Sequence, residues 1–149
     1  QVRAHELELL GPMIDGLNAI PGVDVLGDVP LEHRVGAVGF TVDGVHHGLV
    51  SKILDAEFGI ATRNGCFCAH PYLVGLLGIG HDVEGMRDRL REGGSTREPD
   101  FPGAVRASLG IYNTRTEVDR LVDAVATIAR EDWQGQYTWT KGRDWHVEA

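Results

Sequence analysis

Residues 59–71 read Gly-Ile-Ala-Thr-Arg-Asn-Gly-Cys-Phe-Cys-Ala-His-Pro. Residues 60–62 form a short run that predicts a β-strand, and the run feeds a tight loop that Pro71 ends. Gly65 permits a backbone turn that a residue with a Cβ resists. Pro71 suits the first turn of a helix continued by Tyr72, Leu73 and Val74. The chain is thereby committed to strand, loop and helix in quick succession. Both cysteines, Cys66 and Cys68, fall in that loop together with the fixed charge of Arg63 and the imidazole of His70. Loops held on rigid elements are where chemistry concentrates. Free cysteine also packs as a small apolar residue, and the residues alone leave both readings open.

The 149 residues suffice for one domain and one core. A hydrophobic share of 42% and a charged share of 24% are those of a globular protein. The net charge of −8 argues against nucleic acid or an anionic membrane as partner. Two cysteines separated by one residue make a poor disulfide framework, so a reducing, cytoplasmic setting is expected. No signal peptide, transit segment, long apolar span or internal repeat is evident.

Along the chain, Leu7, Leu10, Met13, Ile14 and Leu17 lay a helical stripe over residues 2–20, which Gly11-Pro12 is expected to interrupt. The stripe begins in mid-pattern at Gln1, with no capping residue, as in a piece cut from a longer chain. Pro21-Gly22 breaks it. Residues 23–26 predict a short strand, 27–34 a polar connector, and 35–42 the longest strand, apolar on both faces and therefore central. After a turn at Asp43-Gly44, residues 46–58 predict a helix with Leu49, Val50, Ile53, Leu54 and Phe58 on one face. Residues 72–79 and 80–91 predict two further helices, and 93–102 a loop. Gly93-Gly94-Ser95-Thr96 follows no strand and lacks the lysine of a phosphate-binding loop. Residues 104–109 predict a strand. Thr114 with Glu117 forms a capping box before Val118, Leu121, Val122, Val125 and Ile128. The segment from Asp132 carries all three tryptophans without a period and predicts an irregular tail over the surface.

The stretch from Gly59 to Pro71, followed by Val-Arg-Ala-Ser-Leu-Gly-Ile-Tyr-Asn-Thr-Arg-Thr-Glu from Val105, resembles the C-terminal part of class V aminotransferases. Within them it resembles the branch of cysteine desulfurases and selenocysteine lyases. The first block matches the arginine-x-glycine-x-x-cysteine loop of that branch. The second matches its arginine-alanine-serine strand and tyrosine-asparagine-threonine helix start. With the helix over 46–58 the resemblance spans most of residues 2–130. It implies an α+β fold, a small, largely antiparallel sheet (about 35–42, 60–62 and 105–109) with helices packed on one face. Residues 1–149 would form a single C-terminal small domain of a fold type I pyridoxal-phosphate enzyme.

By the same resemblance Cys68 is the catalytic residue, taking the substrate-derived sulfur as a persulfide, a role that needs a thiolate on an accessible loop near cations. Arg106 matches the arginine for the substrate α-carboxylate, which a planar guanidinium grips two-to-two, and Arg63 matches a second active-site arginine. As plain chemistry, Arg106 can also be read as a strand-end salt bridge, and His70 either modulates Cys68 or is exposed polar dressing. Cys66, Cys68 and His70 do not have structural zinc spacing. The implied substrate is a cysteine-like amino acid, with a sulfur-acceptor protein and the parent's large cofactor domain as partners and a homodimer as the full-length form. Pyridoxal phosphate belongs to that parent. Neither Lys52 nor Lys141 lies in a cofactor-lysine motif, so the piece itself is expected to bind no cofactor and not to turn over.

Three departures stand out. Cys66-Phe67-Cys68 replaces the histidines that often precede the cysteine, and looks more like the desulfurase domain of molybdenum-cofactor sulfurases, which leaves the substrate open. The long interval between Cys68 and Arg106 marks residues 75–103 as an insertion. The cofactor lysine, the aspartate for the pyridine nitrogen and the phosphate loop would all precede Gln1. Two other readings keep their place: a class V aminotransferase, lyase or epimerase in which Cys68 is not catalytic, and a stand-alone thiol relay or interaction module. The gene sequence upstream of Gln1 separates them.

Overall fold

The computed structural model describes residues 1–78, 83–92, 101–141 and 144–148. Helix α1 (Val2–Asn18) leads to β1 (Val23–Val25), a 3₁₀ turn (Leu31–His33) and β2 (Ala37–Val42). Then come α2 (His47–Phe58), β3 (Arg63–Gly65), α3 (His70–Leu76), α4 (Val83–Arg91), β4 (Ala104–Ser108) and α5 (Arg115–Ala129). A hairpin of β5 (Tyr137–Thr140) and β6 (Asp144–Val147) ends the described chain. The sheet has the order β1-β2-β4-β3 with every pairing antiparallel, so the architecture is α+β as expected.

The sheet has two unlike faces because its strands alternate. Val38, Phe40, Val42, Val105 and Ala107 point to one side and are buried. There they meet Leu10, Met13 and Leu17 of α1, Val50 and Ile53 of α2, and Val125 of α5. Ala37, Gly39 and Arg106 fall on the other side, half-buried. The longest strand is central, as its sequence indicates, but only one of its faces joins the core.

Several details differ from the sequence reading. Helix α1 runs unbroken through Pro12. An interior proline costs about 3 kcal/mol, and four buried residues (Leu9, Leu10, Met13 and Leu17) offset it. Gly16 lets α5 approach, since a Cβ there would sit 2.7 Å from Val122 Cγ2. The expected strand over 60–62 is displaced: ladder pairing begins at Arg63, and pocket-lining Ile60, Ala61 and Thr62 approach β4 without joining it. The expected loop and insertion fall in part on residues 79–82 and 93–100, outside the described residues. Among the described residues no helix is long and apolar enough to cross a membrane.

The tail is not irregular. Tyr137-Thr138-Trp139-Thr140 alternates aromatic and β-branched residues and pairs with β6, setting Trp139 opposite Trp145. A lone hairpin is marginal in water, and this one is fastened to α2 at two points. Glu57 accepts hydrogen bonds from the N–H groups of Gln134 and Gly135 and from the Tyr137 hydroxyl. Trp145 Nε1 donates to His46 Nδ1 at 3.0 Å. Partial burial raises the Glu57 carboxyl, but these three donors outweigh it and hold the group below its ordinary value. Burial and the Glu57 carboxylate push the Tyr137 hydroxyl up.

His47, the first residue of α2, ties the two sides of the later site together. Its Nε2 lies 3.2 Å from the Phe101 carbonyl and its Nδ1 3.2 Å from the Asn64 amide. Burial, then the neighbouring His46, lowers its pKa to about 4 against the hydrogen bonds to Phe101 and Asn64. A neutral ring has one N–H. Nε2–H of the neutral ring therefore donates to Phe101, and Nδ1 faces Asn64 Oδ1, which can accept from it only when the ring is charged. The ring is packed so closely that a Cβ on Gly103 would lie 2.5 Å from it.

Two outcomes are expected. A histidine whose folded pKa is depressed from 6.5 to about 4 contributes stability that is intact above 6.5 and lost as the pH falls toward 4. The loss should approach roughly 3 kcal/mol. Denaturant midpoints should fall between pH 7 and 5, and His47→Gln should flatten that slope; an unchanged slope refutes the account. Glu57→Ala should free the hairpin, shifting tryptophan fluorescence while the helical circular dichroism persists. In the wild type the same shift should develop as the pH drops below the ordinary carboxyl value of 4.5.

Candidate active site

The β3–β4 ladder is three residue pairs long: Arg63 with Arg106, Asn64 with Val105, Gly65 with Ala104. Directly opposite residues share a face, so Arg63 and Arg106 stand side by side on the face away from the core. Like charges in that relation repel and cost stability. Arg63 is exposed. Arg106 is half-buried, and its Nε is buried without a hydrogen-bond partner among the described residues. A buried donor left unpaired costs about 1–3 kcal/mol.

The loop then turns sharply. Gly65 has φ +99°, where only glycine is unstrained, and Phe67 and Cys68 follow at +52° and +60°. Each non-glycine residue in that left-handed region costs about 1–2 kcal/mol. The turn is closed by the Ala69 N–H donating to the Cys66 carbonyl at 2.8 Å. Ala69 in turn caps α3, taking the Leu73 N–H. Because the backbone coils here, the two cysteines do not point the same way, as they would in an extended segment. Cys66 is buried with Leu73, Met86, Phe101 and Ala104, and its Sγ–H donates to the Pro102 carbonyl at 3.4 Å. Burial pushes its thiol pKa up. Cys68 is exposed. The side chain of His70 lies outside the described residues.

Phe67 lies between these groups. Its ring centroid is 5.3 Å from the Arg106 guanidinium carbon, within cation–π range. Together they border a cleft of about 300 Å³ lined also by Ala37 and Gly39 of β2 and by Leu73 and Leu76 of α3. Arg34 completes the rim, with its guanidinium donating to the carbonyls of Leu26, Gly27 and Val29, so it braces the β1–β2 connection. The structure thus brings Arg63, Arg106 and the Cys68 loop to one face. Sequence reasoning missed Phe67, Arg34 and His47. Only the position of Phe67 between the cysteines offered a signal, and it does not foretell stacking on a residue far along the chain.

Comparison with known proteins gives the family. Residues 1–121 match the family model described as aminotransferase class-V. A probable cysteine desulfurase 2 of Mycobacterium leprae is 36% identical over 124 residues, covering 83% of this chain and 24% of the relative. A cysteine desulfurase of Haloferax volcanii is 36% identical over 130 residues, covering 87% and 24%. Among solved structures, the apo cysteine desulfurase of Thermococcus onnurineus matches with a TM-score of 0.64 at 27% identity, over 85% of this chain and 25% of that one. The S-sulfonic acid form of the Escherichia coli cysteine desulfurase CsdA matches with a TM-score of 0.59 at 28% identity, over 90% and 26%. The chain therefore spans about a quarter of the length of the curated relatives it matches. With its α+β fold, its paired arginines and a family match over most of its length, the chain belongs to the class V aminotransferase family.

Proposed function

We propose that this chain is the C-terminal small domain of a cysteine desulfurase-like enzyme, in which Cys68 receives sulfur from a cysteine-like amino acid. In that role the Cys68 thiolate forms a sulfur–sulfur bond with the substrate sulfur. The substrate carbon–sulfur bond breaks and its electron pair stays on the carbon fragment. Arg106, assisted by Arg63, grips the substrate carboxylate. One observation carries this reading: two arginines opposed on the open face, with the loop of an exposed cysteine laid over one of them. In a domain of net charge −8 that concentration of positive charge favours a small anion.

The family's cofactor, pyridoxal phosphate, supplies an electron sink for such bond cleavage. Among the described residues neither lysine is placed to hold it. Lys52 Nζ pairs with Asp55 at 3.4 Å and lines another groove, and Lys141 is exposed in the hairpin turn. We assign the cofactor to the rest of the full-length enzyme, together with the homodimer contacts. Residues 75–103 are assigned as an insertion that governs which sulfur acceptor reaches Cys68.

In the full-length enzyme Cys68→Ser should abolish sulfide release from cysteine, while Cys66→Ser retains most of it. Mass spectrometry after incubation with substrate and no acceptor should find a gain of about 32 Da on the Cys68 peptide. Release that survives Cys68→Ser but not Cys66→Ser means the roles are reversed; survival in both single variants and the double leaves the thiols as packing. Arg106→Ala should lower kcat/KM by about ten- to a hundred-fold, the loss of a charge-assisted pair. Arg106→Lys should recover little, since a point charge cannot make the bidentate grip. An unchanged kcat/KM in Arg106→Ala removes the carboxylate assignment.

A further inference from the structure

We propose that Phe67 is a positioning residue that couples Arg106 to the turn presenting Cys68, so that the anion-binding group and the thiol are set as one unit. This rests on the roles proposed above for Arg106 and Cys68. Arg106 belongs to β4 and Cys68 to the loop after β3. The Phe67 ring reaches from that loop to the guanidinium, 5.3 Å from its carbon. It also packs against the cluster of Leu73, Met86 and Phe101. Arg106 Nε has no hydrogen-bond partner among the described residues, so the ring is a principal constraint on that end of the guanidinium. Phe67 and Cys68 are consecutive left-handed residues. Such a backbone persists only where surrounding contacts over-determine it, and moving the ring moves the peptide that aims Cys68. An anion that fixes Arg106 therefore also steadies the loop, and loss of the ring loosens both.

A ring that merely plugs the small cluster would be replaced by leucine without consequence for Arg106. The test is hydrogen exchange across residues 66–69 of the full-length protein, where the Ala69 N–H to Cys66 carbonyl bond closes the turn. Phe67→Leu should raise exchange there by roughly three- to thirty-fold, the range a ring–cation contact supports. Arg106→Gln, two strand positions from Ala104 and outside the loop, should raise it similarly. The double variant should do no more than the larger single. Phe67→Tyr, which keeps the ring face, should hold the wild-type rate, and Arg106→Lys should lie between wild type and Arg106→Gln. Kinetics on cysteine add a second readout: Phe67→Leu should raise KM and lower kcat together, with Phe67→Tyr restoring both. Unchanged exchange in Arg106→Gln, or additive effects in the double variant, overturns the coupling. If the exchange pattern holds while Cys68→Ser retains sulfide release, the coupling stands and the sulfur-transfer role falls.

Discussion

The β3–β4 pairing carries more than its three rungs suggest. Slipping a strand by one residue sends every side chain to the opposite face. A slip here would bury a guanidinium in the apolar core and separate Arg63 from Arg106. So short a ladder cannot hold its register unaided, and both strands are braced from outside it. His47 spans from Asn64 in β3 to Phe101 ahead of β4, and Cys66 Sγ reaches Pro102 on the same approach. These two contacts clamp the flanks of the ladder. The neutral state of His47 matters for that reason: a charged ring would be stranded beside β3 in a site built to desolvate it.

The division of labour between the two sheet faces explains how the open one can be costly. The core face buries large aliphatic side chains from α1, α2 and α5 against Phe40, and each fully buried side chain of that size contributes about 1.5–3 kcal/mol. The other face carries opposed like charges, a buried donor with no partner among the described residues and two left-handed non-glycine residues. Each of these is unfavourable by itself. Their concentration around one cleft is the pattern expected where strain and unsatisfied polarity serve a ligand rather than the fold.

What could be read from the sequence follows from how local each cause is. The capping box of Thr114 and Glu117 is a contact three residues apart, and it appears in the structure with both of its hydrogen bonds. The helical spacing of Val50, Ile53 and Leu54 likewise needs nothing outside α2. Pro12 misled because its local penalty is outweighed by burial against distant elements, α5 and the sheet among them. The strand over 60–62 failed for the complementary reason: strand propensity is present, but pairing is decided by the partner, and β4 is engaged from Arg63 onward. The hairpin was hidden because its two strands are four residues each, too short for a period, and because it is held by Glu57 of a distant helix and by His46, which caps that helix. In the site, the residue types and their order were legible. The stacking of Phe67 on Arg106 was not, since it joins residues that only the sheet brings together.

The two cysteines show most directly how backbone geometry decides chemistry. Cys66 and Cys68 share a loop, a residue type and almost the same sequence neighbours. Gly65 at φ +99° sends Cys66 inward, where an apolar cluster and a carbonyl acceptor favour the protonated thiol. The next two residues take left-handed conformations, and the coil turns Cys68 outward to solvent. A thiolate is the nucleophilic form, and burial among apolar groups without a cation suppresses it. The inward thiol is thus spent on holding the loop to the strand approach, and the outward one is left available. An extended loop would have presented both thiols alike, and nothing in the side chains themselves would have told them apart.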